Sequence, residues 1–265
     1  MPSFDRFRYL DEPARGSRPL GTLVLLHAFP LSARMWEPQL TLAEHGWRVV
    51  APHFRNFEGE AADPEVSSID DYAGDVIDLI EALHLRDVVL GGLSMGGYVA
   101  FAVFRHVPSH IRGLVLADTK PEADTASGLV DRQRMLALVS EQGPAAVAAE
   151  MLPKLLGSSA QASRPDLVAH VRNIILSNEA PAIAGAIRAM MTRPDSTPDL
   201  RKIHCPTLIL AGREDVISPP EIAERMHQAI AGSQLVILER AGHLSSIEQP
   251  EAFNSALAAF LTHRV

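Results

Sequence analysis

The stretch from Val88 to Tyr98, VVLGGLSMGGY, constrains this chain more than any other. A run of β-branched and aliphatic residues ends in glycines, and an almost wholly apolar helical pattern follows. Ser94 is the centre of a G-x-S-x-G pattern, in which a strand turns sharply at a strained serine and enters a helix at once. The positions two residues to either side must be small for this turn to close, and they are Gly92 and Gly96. The pattern predicts a strand–turn–helix unit that exposes the Ser94 hydroxyl, with an ordinary glycine-rich turn as the alternative.

Strand and helix patterns alternate before and after this unit. Short apolar runs predict buried strands at residues 22–26, 48–52, 87–93, 111–117, 207–212 and 234–238, and residues 4–10 predict a short edge strand. Helical spacing of apolar residues predicts helices at residues 32–46, 70–85, 95–107, 219–231 and 246–261. Strands that alternate with helices predict an α/β fold with a mostly parallel, doubly wound sheet.

The alternation stops between residues 119 and 200. This part has no strand-like run and instead predicts four helices, at residues 129–142, 144–156, 165–177 and 180–191. Proline, glycine and serine separate these helices from one another. We therefore expect residues 119–200 to form a helical insertion, and residues 1–118 and 201–265 to form the α/β core.

Composition excludes several classes of protein. The formal net charge of −8 argues against nucleic acid or an anionic membrane as the main partner. The single cysteine, Cys205, allows no disulfide within the chain, which is typical of a reducing cytoplasm. The first residues lack an apolar signal-peptide core, and no apolar run reaches membrane-spanning length. We expect a soluble, cytoplasmic protein with no metal and no cofactor, and the pattern leaves a homo-oligomer open.

A serine hydroxyl becomes a good nucleophile only when a base takes its proton and a third group orients that base. His243 follows the last predicted strand, directly after Gly242, and is the candidate base. Asp215 ends the preceding predicted strand and is the candidate acid, while Asp118 ends the strand after Ser94 and is the second choice. Glu214, a third candidate, is expected to be a surface neighbour of Asp215. In a parallel sheet these strand ends meet at one edge. The sequence therefore predicts catalytic roles for Ser94, Asp215 and His243.

A negatively charged oxygen that develops during acyl transfer needs fixed hydrogen-bond donors. The backbone amide of Met95, directly after the serine, is one candidate. The amide of Phe29, in the loop after the first long strand, is the other. Candidate substrate contacts come from that loop and from the helical insertion: His27, Met135, Leu152 and Met190.

Four stretches together resemble the α/β-hydrolase superfamily along nearly the whole chain: residues 25–30, 92–96, 212–215 and 241–243. Within it, the chain is most similar to small carboxylesterases and to 3-oxoadipate enol-lactonase-like hydrolases. The resemblance implies a helical cap inserted after the sixth strand, the order serine, acid, histidine along the chain, and reaction through an acyl-enzyme. The chain departs from the family pattern at Ala28, where glycine is usual. It departs again at Asn56, which can replace glycine where a left-handed backbone is needed.

The leading hypothesis is a serine hydrolase that cleaves a small carboxylic ester or lactone. A perhydrolase or haloperoxidase-type activity at the same three residues is the second hypothesis, since only the acceptor changes from water to peroxide. A ligand-binding protein on the same scaffold is the non-enzymatic alternative. The helical insertion offers no plain dicarboxylate site, because Arg132, Arg134 and Arg188 are expected to be exposed.

Overall fold

The described strands form one sheet, and most of them run parallel to one another, as the sequence predicts. The computed structural model describes residues 7–16, 19–58 and 66–265, and in these residues the sheet has seven strands in the order β1-β3-β2-β4-β5-β6-β7. All neighbouring pairs are parallel except β1 with β3, which is antiparallel. The strands are β1 Tyr9–Glu12, β2 Gly21–Leu26, β3 Trp47–Pro52, β4 Val88–Leu93, β5 Ile111–Ala117, β6 Thr207–Gly212 and β7 Gln234–Leu238. The predicted parallel α/β sheet is confirmed.

Side chains alternate between two hydrophobic cores, one on each face of the sheet. In β2, Val24 and Leu26 belong to one core, and Leu23 and Leu25 belong to the other. Residues of α1 Ile69–Ala82, α2 Met95–His106 and α7 Pro220–Ala229 pack into the first core. Residues of a 3₁₀-type helix, Ala33–His45, and of α9 Pro250–His263 pack into the second, after the short α8 Ser245–Glu248. Both faces of the sheet are therefore covered, as a doubly wound fold requires.

The helical insertion lies between β5 and β6. It contains α3 Ala126–Leu155, α4 Ser158–Ser163, α5 Pro165–Leu176 and α6 Ala180–Met191. The expected break between the first two helices is a kink at Gly143, which has φ 75°. The resemblance placed the insertion after a sixth strand, but among the described residues five strands precede it, because β1 alone comes before β2. The division into a core and a cap at residues 119–200 stays a prediction.

The expectations for the edge strand and for Asn56 have different outcomes. Residues 4–6 of the predicted edge strand lie outside the described residues, and the strand that is described begins at Tyr9 and ends at Glu12. Asn56 has φ 74°, so the left-handed backbone expected at this position is confirmed.

In the described residues, no helix is both long and apolar enough to cross a membrane.

The turn at Ser94 brings α2 very close to the sheet. Ser94 has φ 55° and ψ −115°, and α2 begins at the next residue. A Cβ on Gly96 would lie 2.1 Å from the carbonyl oxygen of Leu26, and one on Gly92 would lie 2.2 Å from the carbonyl oxygen of Gly96. Both distances are far below van der Waals contact, so the prediction that these two positions must be small is confirmed.

This close packing makes a prediction about stability. We expect Gly96→Ala to lower the free energy of unfolding by about 1–3 kcal/mol, because backbone atoms of β2 must move to admit the methyl group. Gly74→Ala is the matched control, since a Cβ there meets no atom within 4 Å in the middle of α1. It should raise the free energy of unfolding by about 0.5–1 kcal/mol. Urea unfolding measures both, and equal midpoints for the two variants would contradict the packing at Ser94.

Candidate active site

Three side chains from distant parts of the chain form a continuous hydrogen-bond chain at the carboxyl edge of the sheet. The Nε2 atom of His243 lies 2.7 Å from Oγ of Ser94, and its Nδ1 atom lies 2.8 Å from Oδ2 of Asp215. All three residues are buried. The turn after β4 carries Ser94, while Asp215 and His243 follow β6 and β7. The structure thus brings together the three residues for which the sequence predicted catalytic roles.

The charges around His243 favour its role as a proton acceptor. Burial alone would lower the pKa of His243, but the Asp215 carboxylate outweighs burial and raises it. Burial also opposes ionisation of Asp215, yet His243 and the amides of Ile217 and Ser218 hold the pKa of this carboxyl below its usual value. An ionised Asp215 accepts a hydrogen bond from Nδ1–H of His243, which leaves the lone pair of Nε2 free to accept the hydroxyl proton of Ser94. This arrangement can activate a serine nucleophile.

Asp118 is a second buried carboxyl close to these residues, but it does not hydrogen-bond to His243. Its Oδ1 accepts from the Gly212 amide at 2.8 Å, and its Oδ2 pairs with the Ser245 hydroxyl. Burial and the nearby Asp215 raise the pKa of Asp118 well above its usual value. Asp118 therefore joins the loop that carries Asp215 to the loop that carries His243. Of the acids considered from the sequence, Asp215 is the one that hydrogen-bonds to the histidine.

The two predicted amide donors lie beside the serine turn. Met95 is the first residue of α2, so its amide has no partner within the helix, and Phe29 lies in the loop after β2. Among the described residues, neither amide donates to a protein acceptor. Neither amide is therefore committed to a protein acceptor in these ranges, and the amino end of α2 adds a dipole that favours a negative charge.

The prediction that His27 contacts substrate is wrong. Its ring is fully buried, its Nε2 accepts from the amide of Phe54 at 3.0 Å, and its Nδ1 lies 3.0 Å from the carbonyl oxygen of Ala28. Burial lowers the pKa of His27 to about 3, so the ring is neutral. Phe54 and Phe57 pack against the ring at 4.3 Å and 4.9 Å between centroids. His27 therefore holds the loop that carries Phe29.

Asn178 braces the same loop from the helical insertion. Its side-chain amide donates to the carbonyl oxygen of Pro30 at 2.9 Å, and its carbonyl oxygen accepts from the amide of Glu58 at 3.0 Å. Asn178 is buried between α5 and α6. Sequence reasoning missed this residue, since an asparagine between two helices is typical of any turn.

The three predicted substrate contacts in the helical insertion do not form one wall. Met135 and Met190 are buried in the core that contains Met95 and Tyr98. Leu152 is half-buried and packs with the other core. Their contact with a substrate stays a prediction.

A cationic cluster that the sequence reading missed surrounds Asp124, near the start of the insertion. Asp124 accepts from Arg193 at 2.8 Å and from Arg132 at 3.1 Å, so the expected exposure of Arg132 is wrong. The Arg193 guanidinium lies 4.3 Å from the ring centroid of Tyr98, whose amide contacts the Ser94 carbonyl oxygen. The cluster is therefore one helical turn from the serine.

Lys120 completes this cluster. It follows Asp118 by two residues at the carboxyl end of β5, a position that could have been noticed in the sequence. Burial and the charge of Arg193 lower its pKa. Within the described ranges, its ammonium group has neither a hydrogen bond nor an ion pair. A partly buried cation without a partner is a candidate contact for an anionic group.

Comparisons with known proteins agree with this architecture. The sequence profile of the Alpha/beta hydrolase family matches residues 23–256. A 3-oxoadipate enol-lactonase 2 from Acinetobacter baylyi is 25% identical over 259 residues, with 98% of this chain and 92% of that protein covered.

Two solved structures are similar over nearly their full length. A thermophilic esterase from Thermogutta terrifontis has a TM-score of 0.91 and 37% identity, with 97% of this chain and 93% of that chain covered. The enol-lactonase from Burkholderia xenovorans has a TM-score of 0.88 and 26% identity, with 97% and 96% covered. The profile match spans most of the chain and the sheet, helices and strand-edge residues fit it, so this protein belongs to the alpha/beta hydrolase family.

Proposed function

We propose that this protein is a serine hydrolase that cleaves small carboxylic esters or lactones through an acyl-enzyme. The observation that carries the proposal is the unbroken hydrogen-bond chain from Asp215 through His243 to Ser94. Ser94 attacks the carbonyl carbon while Nε2 of His243 takes the hydroxyl proton and then gives it to the leaving alkoxide. The same nitrogen next removes a proton from water, which attacks the acyl carbon. It then returns that proton to Oγ of Ser94 as the bond to the serine breaks and the acid leaves.

The amides of Phe29 and Met95 complete the proposed reaction. Each tetrahedral intermediate carries a negative oxygen, and preorganised donors in a site that excludes water stabilise it strongly. The two amides have no protein acceptor among the described residues; Met95 directly follows Ser94, and Phe29 lies in the loop after β2. Support also comes from the similarity to an esterase and to enol-lactonases.

The first prediction about activity concerns the nucleophile. We expect Ser94→Ala to lower kcat for p-nitrophenyl acetate and butyrate by about 10⁴-fold or more, because it removes the hydroxyl that forms the proposed acyl-enzyme. Release of p-nitrophenol at fixed protein concentration measures this. Turnover by wild type that merely equals that of the variant would exclude the proposed hydrolase.

The second prediction separates the two buried acids. We expect Asp215→Asn to lower kcat by about 10³- to 10⁴-fold, because the amide leaves His243 in the wrong tautomer. Asp118→Asn is the matched control. Asparagine still accepts from the Gly212 amide and donates to Ser245, so kcat should stay within about fivefold of wild type. The assignment of the acid is wrong if Asp118→Asn is the more damaging change.

A second candidate is a substrate that carries a carboxylate in addition to its ester or lactone bond. The observation that favours it is the ammonium of Lys120, which lacks a partner in the described part of the chain, beside Arg132 and Arg193. The structure of the related esterase from Thermogutta terrifontis is described as malate-bound, and malate is a dicarboxylate.

The third prediction tests this cationic contact. We expect Lys120→Met to lower kcat/KM for mono-p-nitrophenyl succinate by about 10- to 100-fold, since a hydrogen bond to a charged group is worth about 1.5–3 kcal/mol. The value for neutral p-nitrophenyl butyrate should change little. Lys154→Met, at an exposed position of α3, is the control and should affect neither ester. An equal loss for both esters would refute recognition of the carboxylate.

A further inference from the structure

Three loops meet at glycines beside the candidate base. A Cβ on Gly212 would lie 2.1 Å from the carbonyl oxygen of Gly242, and one on Gly242 would lie 2.2 Å from the amide nitrogen of Gly157. Gly212 ends β6, Gly242 precedes His243, and Gly157 lies in the helical insertion between α3 and α4. The turn at residues 155–159 is called here the docking turn, and the loop at residues 239–244, which carries His243, is called the histidine loop. The two are therefore in direct backbone contact.

The carboxyl of Glu248 lies under this contact and accepts three backbone hydrogen bonds. Its Oε1 accepts from the amides of Gly242 at 2.9 Å and Leu244 at 3.3 Å, the residues on either side of His243. Its Oε2 accepts from the amide of Gly157 at 2.8 Å. Glu248 is buried, which raises its pKa to about 7, and the three N–H donors oppose this rise because they favour the ionised carboxyl.

Because Oε1 receives the amides on both sides of His243, Glu248 limits rotation of the backbone that carries the imidazole. The Leu244 amide also donates to the carbonyl oxygen of Leu155 at 3.1 Å. The same two loops are thus joined by a carboxylate and by a direct backbone bond. If the docking turn moves away, Glu248 loses the Gly157 amide and the Leu244 amide loses the Leu155 carbonyl oxygen.

Glu214 holds the same docking turn without touching the histidine loop through its side chain. Its Oε2 accepts from the hydroxyl of Ser158 at 2.9 Å and from the amide of Ser159 at 2.8 Å. The two glutamates therefore share one function, which is anchoring the turn. They differ in that only the Glu248 side chain contacts the residues next to His243.

We infer that Glu248 is a positioning residue whose carboxylate fixes the orientation of His243 and makes that orientation depend on the seating of the docking turn. The rate effect rests on the proposed hydrolase function, while the orientation of the imidazole does not. Glutamine at this position keeps one acceptor but places an NH₂ group against a backbone N–H donor. That mismatch displaces either the histidine loop or the docking turn.

The test compares Glu248→Gln with Glu214→Gln. We expect Glu248→Gln to lower kcat for p-nitrophenyl butyrate by about 10- to 100-fold, because a displaced base costs rate at unchanged substrate affinity, with KM within about twofold of wild type. Glu214→Gln should keep kcat within about twofold, since Glu248 and the bond from Leu244 to Leu155 still seat the docking turn against the histidine loop. Equal losses in the two variants, or wild-type kcat in Glu248→Gln, would overturn the inference.

A second readout does not need turnover. The Nδ1 proton of His243, bonded to Asp215, should give a low-field proton NMR line in wild type and in Glu214→Gln, and this line should shift or broaden in Glu248→Gln. An unchanged line in Glu248→Gln contradicts the inference even if the protein cleaves no ester. Should Glu248→Gln fail to fold, Gly157→Ala keeps Glu248 but places a Cβ 2.8 Å from the amide nitrogen of Gly242. This collision separates the docking turn from the histidine loop, so the variant should reduce kcat and perturb the same line. A wild-type line in Gly157→Ala would equally overturn the inference.

Discussion

The close approach of α2 to β2 is the constraint on which the rest of the site depends. Ser94 adopts φ 55° and ψ −115°, which is unfavourable for a residue with a Cβ. Packing of Gly96 against the Leu26 carbonyl and a hydrogen bond from the Ser94 amide to the Ala117 carbonyl hold it there. The same turn ends β4, starts α2 and frees the Met95 amide. One strained residue thereby sets the positions of a hydroxyl and an amide at once.

Three buried carboxyls stand around this turn, and their surroundings give each a different state. Asp215 faces an imidazole and two amides, which keep it ionised. Asp118 faces one amide and one hydroxyl beside the charge of Asp215, so its pKa rises. Glu248 faces three amides from two loops. Burial penalises all three charges, and only at Asp215, which faces the His243 imidazole, do the neighbours outweigh burial and lower the pKa.

Much of the fold and part of the site follow from local pattern. Apolar runs and G-x-S-x-G predict the parallel sheet and the turn at Ser94, and the strand ends predict Asp215 and His243 as neighbours. The short helix α4, Ser158–Ser163, was missed because the sequence SSAQAS has no apolar period. The predicted contact of His27 with substrate was wrong because the ring turns inward to accept from the Phe54 amide, which belongs to a distant loop.

Most of the site residues that could not be predicted from the sequence contact backbone amides or carbonyls. Glu248 and Asn178 bind amides and carbonyls of loops far along the chain, and any residue type supplies those groups, so no side-chain pattern marks them. Lys120 is different, since its place at the end of β5 was visible in the sequence. What sequence did not reveal was the pairing of Arg132 and Arg193 with Asp124. Of the cations in this cluster, Lys120 is thereby left without a hydrogen bond or ion pair in the described ranges.

The most direct test of the central claim is a crystal structure of the protein after inactivation by a p-nitrophenyl alkylphosphonate, whose tetrahedral phosphorus mimics the intermediate. We expect phosphorus bonded to Oγ of Ser94, with the phosphoryl oxygen about 2.7–3.1 Å from the amides of both Phe29 and Met95. Phosphorus on any other residue, or a phosphoryl oxygen that points away from the two amides, would contradict the proposed site.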